Sequence, residues 1–368
     1  MKFDYQLLEK SKQKEAIKTI KGVPFGSVRT NHMFLMDYAK GEWKNARIVP
    51  YGEINLPAGA LCLHYGQAIF EGIKAFRQAD GSIKLWRADK NAMRINHSAT
   101  IMCMPHIPVE LQLECIQRLI DVERDWCPNE PDAAMYIRPF MFATYDSLGV
   151  KVSCTYTYCI MLSPCGPYYS GGFDKAIRLV ITDKFHRAVA GGTGTAKCVG
   201  NYGASLRPGE YAKSRGADQV LYLDASNTYL EEAGTMNHYN VLKDGTFIIP
   251  AFNDSILRSI TSETILELAE MGTELSTGKL KARLEQIPLN DFINGLKSGE
   301  IIEAGGFGTA AVVSPVGSYL MDDDTVHTVA DGKVGKYSRA LYEYYTAMQN
   351  GTKESPKGWL LDVPKFDF

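Results

Sequence analysis

The stretch GGTGTAKCVGNYG, which runs from Gly191 to Gly203, delivers a single lysine, Lys197, after a run of small residues. Three interpretations of this stretch are open. It binds a nucleotide phosphate, it presents a reactive amine, or it is a flexible surface turn with a solvated lysine. The residues around Lys197 and the rest of the chain help to distinguish among them.

A phosphate-binding loop is poorly supported by the residues beside the lysine. A Walker A loop requires Gly directly before its Lys and Ser or Thr directly after it. Here Ala196 precedes Lys197 and Cys198 follows it, so the hydroxyl that would bind magnesium is missing. Gly192 and Gly194 could begin a dinucleotide fingerprint, but Lys197 occupies the position of its third glycine.

A solvated lysine is also disfavoured by its surroundings. The residues after Lys197 are Cys, Val, Gly, Asn and Tyr rather than a charged run. We therefore predict that Lys197 points into a partly apolar cleft, where desolvation disfavours the ammonium form and makes the amine nucleophilic. The neighbouring Gly and Ala residues permit close backbone approach. These properties suit a lysine that forms a Schiff base with an aldehyde cofactor such as pyridoxal phosphate.

Pyridoxal phosphate also needs a carboxylate on its pyridine nitrogen, which keeps the ring protonated. Glu231 and Glu232 follow a predicted strand over 219–224 and lead through AGTMN into a second buried strand. A solvated acidic pair is the alternative interpretation. The apolar residues that follow favour a buried carboxylate.

The cofactor phosphate needs an anion-binding cradle. Polar residues precede the helix that we predict over 259–272, and the backbone N–H groups of Ile256 and Leu257 are candidates to bind an anion there. Ordinary capping of that helix by Asp254 or Ser255 is the alternative, and both interpretations can hold together.

Composition indicates a protein with a large core. The chain has 368 residues, is 45% hydrophobic and carries a net charge of −2, which argues against binding nucleic acid or an anionic membrane. It has no apolar run of about 18 residues, and its first residues lack the apolar segment of a signal peptide. We therefore expect a cytoplasmic protein. No CxxC, HxH or HExxH pattern occurs, so we expect reduced cysteines and no metal site.

The hydrophobic pattern predicts an α+β chain with two domains. A smaller α+β domain over 1–165 begins with a short polar helix and continues with a hairpin over 32–52 that turns at Lys40–Gly41. Helices over Arg87–Met102 and Val109–Trp126 and strands over 133–144 and 155–164 follow. A Gly-rich interdomain loop over 166–175 leads to a larger α/β domain over 176–368, which carries Lys197. Its helices are predicted over 259–272, 288–299 and 336–351.

Seven segments together resemble the branched-chain amino acid aminotransferases, within the fold-type IV pyridoxal phosphate enzymes. In order, they are LHYGQAIFEGIKAFR, MYIRPF, SLGV, GGTGTAKCVGNYGAS, EEAGTMN, SILRSIT and GGFGTAAVVSP. Each is weak alone, but their order and spacing over nearly the whole chain are specific. The resemblance implies the fold-type IV architecture, with two α/β domains joined by a short Gly-rich loop. It also implies pyridoxal 5′-phosphate as cofactor and a homodimer.

The resemblance implies a role for each matching cofactor residue. Lys197 is similar to the Schiff-base lysine that moves a proton between the substrate Cα and the cofactor C4′. Glu232 is similar to the partner of the pyridine nitrogen. Tyr202 matches a tyrosine that hydrogen-bonds the ring oxygen, and Thr235 matches a residue near the ring. The implied phosphate ligands are Arg94, the backbone of Ile256 and Leu257, and the hydroxyl of Thr309.

The resemblance also implies the substrate site. Thr309 and Ala310 lie on the Gly-rich turn GGFGTAA, whose N–H groups would bind the substrate carboxylate; a plain turn is the alternative. Tyr65 and Arg138 match residues that orient that carboxylate. Phe25, Phe70, Tyr136 and Tyr168 match the walls of an apolar pocket, and Val150 of SLGV matches a residue that reaches the partner subunit's site. Such a pocket fits leucine, isoleucine and valine and must also admit glutamate.

The function that follows is ping-pong transfer of an amino group between L-leucine, L-isoleucine or L-valine and 2-oxoglutarate. The nearest alternatives are two other fold-type IV enzymes, a D-amino acid aminotransferase and an aminodeoxychorismate lyase. A nucleotide-binding module and a cofactor-binding protein without turnover are more distant alternatives. Some vertebrate members carry a redox-sensitive CxxC where this chain has Ala311 and Ser314, so thiol switching by that route is not expected.

Overall fold

The chain passes between two units of structure more than once. The computed structural model describes residues 1–166 and 173–368. The first unit comprises Met1–Tyr168, Ala196–Gly200 and Met348–Phe368, and the second comprises Tyr169–Thr195 and Asn201–Ala347. Residues 167–172 of the interdomain loop predicted over 166–175 lie outside the described residues.

The position of Lys197 differs from the expected one. Its segment, Ala196–Gly200, belongs to the first unit rather than to the C-terminal domain that was predicted to carry the lysine. The physical reason is burial, because Ala196 and Cys198 pack in the hydrophobic core of the first unit and Cys198 forms a β-bridge with Ile69.

The first unit is built on one nine-stranded sheet. Its strands are β1 (Phe3–Tyr5), β2 (His32–Ala39), β3 (Glu42–Pro50), β4 (Ala68–Phe70), β5 (Ile73–Arg77), β6 (Ile83–Trp86), β7 (Ala134–Ala143), β8 (Thr155–Cys165) and, from the C-terminus, β20 (Leu360–Asp362). The order is β1-β3-β2-β8-β7-β5-β6-β20, with β4 paired to β7. Three helices accompany the sheet: α1 (Leu61–Tyr65), α2 (Ala88–Ile101) and α3 (Val109–Val122).

Most of the predicted elements of this unit are present. The β2–β3 hairpin turns at Lys40 and Gly41, whose φ angles are 56° and 85°, as a two-residue turn of the primed type requires. Helices α2 and α3 begin within one residue of their predicted starts. The predicted N-terminal helix is wrong: Phe3–Tyr5 is a strand paired in parallel with β3, and only a 3₁₀ turn follows at Lys10–Lys12. Phe3 and Tyr5 pack on the core, which overrides the polar helical pattern.

The remaining strands are β9 (Ile177–Ile181), β10 (Gln219–Leu223), β11 (Leu230–Ala233), β12 (Met236–Leu242), β13 (Thr246–Pro250), β14 (Glu274–Leu275), β15 (Gly278–Lys279), β16 (Lys281–Glu285), β17 (Ile301–Gly308), β18 (Val312–Leu320) and β19 (Val326–Thr328). The remaining helices are α4 (Val199–Ala204), α5 (Leu206–Ser214), α6 (Ile260–Glu270), α7 (Leu289–Ser298) and α8 (Lys336–Gln349). The three helices predicted for this part of the chain correspond to α6, α7 and α8.

The larger sheet of the second unit closes on itself. Its order is β11-β10-β9-β18-β17-β12-β13-β16, and β11 also pairs with β12. Six strands therefore form a closed ring, in which each strand pairs with a ring neighbour on both sides, while β13 and β16 extend from β12 and β19 pairs with β18. The closing strand, β11, carries Glu231 and Glu232. Within the described ranges, no helix is long and apolar enough to cross a bilayer.

A buried histidine on β12 makes the stability of the second unit depend on pH. His238 is fully buried, and its Nε2 atom lies 2.9 Å from the Tyr319 hydroxyl. Burial disfavours the charged ring and lowers the pKa of His238 to about 3. An unfolded histidine has a pKa of about 6.5.

We predict that this difference destabilises the protein in acid. Above pH 6.5 His238 is neutral in both states and contributes nothing. As the pH falls from about 6.5 towards 3, the unfolded chain binds a proton that the folded chain does not. The free energy of unfolding then falls by up to about 1.4 kcal/mol per pH unit from this residue. His238→Gln should flatten the slope measured by denaturant titration between about pH 4 and 6.5. The exposed His97→Gln should keep the wild-type slope, and equal slopes for all three proteins would contradict the prediction.

Candidate active site

Lys197 is held through its backbone on both sides. Its N–H donates to the Ser98 hydroxyl at 2.9 Å, and its carbonyl accepts from the Phe70 N–H at 3.0 Å. The side chain is half-buried, and Nζ lies 5.0 Å from the centre of the Phe70 ring. The amine therefore lies beside an aromatic ring.

A buried carboxylate near this lysine orients a predicted phosphate ligand. Glu71 is fully buried and accepts hydrogen bonds from Arg94 at 2.6 and 3.0 Å and from Asn91 at 2.7 Å. Burial alone would raise the pKa of Glu71, but the charges of Arg94 and Lys197 and these hydrogen bonds outweigh it and leave the pKa lowered. Glu71 was missed by the sequence analysis, although an acid inside the apolar run AIFEGIKAF was a usable signal.

Four of the predicted substrate residues lie together in the first unit. The Arg138 guanidinium lies 4.6 Å from the Phe70 ring centre and donates to the Tyr136 hydroxyl at 3.1 Å. The Phe25 ring meets the Tyr136 ring edge-on at a centroid distance of 4.8 Å. Nε of Arg138 is buried and has no hydrogen-bond partner in the described part of the chain. A buried, unpaired guanidinium donor suits a carboxylate ligand.

Two other predicted substrate residues, Tyr65 and Val150, are exposed. Tyr65, at the end of α1, is 41% exposed, and its hydroxyl donates to the Leu148 carbonyl. Val150 is 82% exposed. Tyr168 lies outside the described residues.

In the second unit, both members of the acidic pair are buried, so the solvated alternative is wrong. One Glu232 oxygen accepts from the Asn237 side chain at 2.8 Å and from the Leu257 N–H at 3.2 Å, and the other forms an ion pair with Arg187. Glu231 accepts hydrogen bonds from the Ser255 hydroxyl and from the Asn253 amide at 3.3 Å. Ring closure by β11 removes both carboxylates from water.

The proposed anion cradle differs from expectation. Helix α6 begins at Ile260, and its N-cap is Ser259, whose hydroxyl accepts from the Ser262 N–H at 3.3 Å. Capping by Asp254 or Ser255 is therefore wrong.

The two amides predicted to bind the phosphate precede α6 and have internal partners. The Ile256 N–H donates to Asn253 Oδ1 at 3.1 Å, and the Leu257 N–H donates to Glu232. Ile256 and Leu257 precede the N-cap Ser259, so their N–H groups are not among the unpaired N–H groups of the first turn of α6. An anion that bound both amides would compete with these contacts.

The other predicted cofactor and substrate residues lie in turns or on a short helix. Thr309 and Ala310 are half-buried in the turn between β17 and β18, and Thr235 is exposed in the turn between β11 and β12. Tyr202 is half-buried on α4. The described residues contain no group of three or more His, Cys, Asp or Glu side chains that could hold a metal ion.

Arg187 is a residue of this site that the sequence analysis did not identify. Its Nη2 atom donates to the carbonyls of Gly194, at 2.9 Å, and of Ser255, while Nε pairs with Glu232. Arg187 is an isolated arginine before the Gly-rich stretch, and nothing in its neighbouring sequence predicts these contacts. A Cβ atom on Gly194 would lie 2.5 Å from the Ser255 Cα, so the Gly-rich stretch packs directly on this turn.

We predict that this close approach tolerates only glycine. Gly194→Ala would force the two backbone segments apart and should lower the free energy of unfolding by about 1–3 kcal/mol, as overpacking does. Gly209→Ala is the matched control, because nothing lies within 4 Å of a Cβ at that helical position. Denaturant unfolding without added cofactor measures both. Equal losses in the two variants would refute the packing argument.

Comparison with known proteins identifies close relatives. The family model for amino-transferase class IV matches residues 68–287. Branched-chain-amino-acid transaminase 1 of Bacillus subtilis is 42% identical over 92% of this chain and 94% of its own length. The branched-chain-amino-acid aminotransferase of Mycobacterium tuberculosis is 39% identical over 91% of both chains.

Solved structures share the fold. The branched-chain amino acid aminotransferase of Escherichia coli superposes with a TM-score of 0.73 at 23% identity, over 91% of this chain and 99% of that chain. The PLP form of the Thermobaculum terrenum enzyme gives a TM-score of 0.72 at 21% identity, over 91% and 99%. The predicted α+β, two-domain fold of type IV is confirmed.

Proposed function

The chain belongs to the class IV aminotransferase family, and from that premise we propose that it is a branched-chain-amino-acid aminotransferase. It transfers the amino group between L-leucine, L-isoleucine or L-valine and 2-oxoglutarate, giving branched 2-oxo acids and L-glutamate. Relatives with this name match more than nine-tenths of the chain. The observation that carries the proposal is the cluster of Lys197, Phe70, Arg138 and Tyr136, which presents an amine and a guanidinium beside the same aromatic ring.

The charged groups of Lys197, Glu232 and Arg94 fit pyridoxal 5′-phosphate. This cofactor supplies an aldehyde that takes up the amino group and a ring that accepts electrons from the substrate. The Lys197 amine would hold the aldehyde carbon, and the buried carboxylate of Glu232 would hold the pyridine nitrogen. Arg94, already oriented by Glu71, would hold the phosphate with Thr309 and the amides of Ile256 and Leu257. Tyr202 and Thr235 would contact the ring.

Lys197 is the base in this proposal. With the cofactor bound, the free amine of Lys197 would take the proton from the substrate Cα and deliver it to the cofactor C4′. The Phe70 ring beside Nζ, and the backbone hydrogen bonds of Lys197 to Ser98 and Phe70, hold the amine in place for this transfer. The 2-oxo acid leaves before 2-oxoglutarate enters, which gives ping-pong kinetics.

Arg138 and the aromatic residues select the substrate. The unpaired buried Nε of Arg138 supports binding of the substrate carboxylate, with the N–H groups of Thr309 and Ala310 and the hydroxyl of Tyr65 as further ligands. The rings of Phe25, Phe70 and Tyr136 form an apolar surface for branched side chains. Chains that differ by one methylene are separated only weakly by such a surface.

A homodimer in the cytoplasm is part of the same proposal. Val150 and Leu148 expose 82% and 75% of their surfaces, an apolar pair that supports contact with a second copy near the partner subunit's site. The eight cysteines are free thiols, which suits a reducing compartment.

We predict that the purified protein shows the visible absorption band of bound pyridoxal phosphate. L-Leucine alone should convert the band to that of the aminated cofactor, and 2-oxoglutarate should restore it. Lys197→Ala should abolish both conversions, whereas Lys213→Ala, at an exposed ion pair with Glu210, should leave them intact. A protein that takes up no cofactor would overturn the proposal. A response to D-alanine but not to L-leucine would favour the D-amino acid aminotransferase.

We predict a separate effect at the substrate carboxylate. Arg138→Gln removes a charged donor and should lower kcat/KM for L-leucine and for 2-oxoglutarate by roughly 10- to 100-fold. The absorption band of the bound cofactor should be unchanged. Arg47→Gln, which loses a partly exposed ion pair with Asp37 in the same unit, is the control. Unchanged kcat/KM values for both substrates would contradict the assignment of Arg138.

A further inference from the structure

We propose that Arg187 is a positioning residue that holds the Glu232 carboxylate as an oriented anion and so acts on the cofactor ring through Glu232. The inference rests on the proposed function, because it requires Glu232 to partner the pyridine nitrogen. Arg187 is not among the cofactor residues that the sequence motifs predicted.

The contacts of Arg187 join three segments of the second unit. Nε pairs with Glu232 on β11, and Nη2 donates to the carbonyl of Gly194 in the Gly-rich stretch and to that of Ser255 in the turn before α6. The side chains of Arg187 and Glu232 are only 7% and 5% exposed. Two backbone carbonyls thus fix the orientation of the guanidinium that pairs with the Glu232 carboxylate.

Arg187 influences both the protonation state and the orientation of the Glu232 carboxylate. The hydrogen bonds from Asn237 and Leu257 fix one carboxylate oxygen but carry no formal charge. A carboxylate buried without a positive partner becomes protonated more easily, because burial disfavours the ion. A protonated Glu232 would no longer stabilise a protonated pyridine ring.

Two other titratable groups lie near this ion pair. Tyr222 on β10 is buried, and burial raises its pKa to about 12 while Arg187 opposes and Glu232 adds to the increase, so its hydroxyl stays neutral at working pH. Glu231 lies beside Glu232 on β11 and contacts Ser255 and Asn253.

A purely structural role for Arg187 makes a different prediction. If the guanidinium only tied Gly194 to Ser255, its loss would lower stability without changing any titration of the enzyme. If it acts through Glu232, its loss changes the pH at which the bound cofactor and the reaction titrate. The test therefore measures pH dependence, and not activity alone.

The experiment uses the holoenzyme and four variants: Arg187→Gln, Arg187→Lys, Glu232→Gln and the double variant of Arg187→Gln with Glu232→Gln. In Arg187→Gln, the acid limb of kcat/KM for L-leucine should move up by about 1–3 pH units, because the Glu232 carboxylate has lost its positive neighbour. The visible band of bound pyridoxal phosphate should titrate with the same shift. Arg187→Lys should reverse part of it.

The double variant tests whether the effect passes through Glu232. Against Glu232→Gln, the added Arg187→Gln change should alter kcat/KM by no more than about twofold, since coupled residues are not additive. Arg178→Gln, an exposed arginine on β9, is the matched control and should shift neither titration. If Arg187→Gln does not fold, the same cycle is run with Arg187→Lys, for which a smaller upward shift is expected.

Two results would overturn the inference while leaving the proposed function intact. One is a wild-type pH profile in both Arg187 variants, and the other is multiplicative losses in the double variant. Failure of the proposed function has a different signature, because the wild-type protein itself would then bind no pyridoxal phosphate or ignore L-leucine.

Discussion

The arrangement of charged groups in this protein depends on burying a carboxylate against an arginine. The first unit does this with Glu71 and Arg94, and the second with Glu232 and Arg187. Buried ion pairs cost desolvation energy and add little net stability, so their value lies in geometry. Each buried pair holds its arginine and its carboxylate in one orientation, whereas the side chains of an exposed pair would remain mobile.

Small residues and ring closure make the second of these pairs possible. The pairing of β11 with β12 closes a ring of six strands and removes Glu231 and Glu232 from water. Gly194 lets the Gly-rich stretch approach the turn at Ser255 so closely that one guanidinium binds both backbones. The residues of the first unit that we propose to bind substrate depend instead on β7, where Tyr136 and Arg138 alternate with core residues and so share one face.

Local patterns in the sequence were sufficient for elements whose signals are local. The β2–β3 hairpin, α2, α3 and the buried acidic pair follow from turn residues, helical spacing and apolar flanks. The N-terminal segment was predicted wrongly because β1 is stabilised by pairing with β3, some forty residues away. The contacts of Glu71 with Arg94 and of Arg187 with Glu232 join residues that are 23 and 45 positions apart in the sequence, so local spacing did not reveal them. The individual roles of Arg94, Tyr202 and Thr309 rest on family resemblance, since their local sequences are ordinary.

The first unit contains segments from both ends of the given sequence, and this has a consequence during synthesis. Residues Met348–Phe368 belong to the first unit, and β20 covers the outer edge of β6. A ribosome therefore synthesises the whole of the second unit before the first sheet can gain β20. Until β20 emerges, that edge is open to pairing with other nascent chains, which is a known route to aggregation. Cellular yield of this enzyme should consequently depend on protection of the emerging N-terminal half by chaperones.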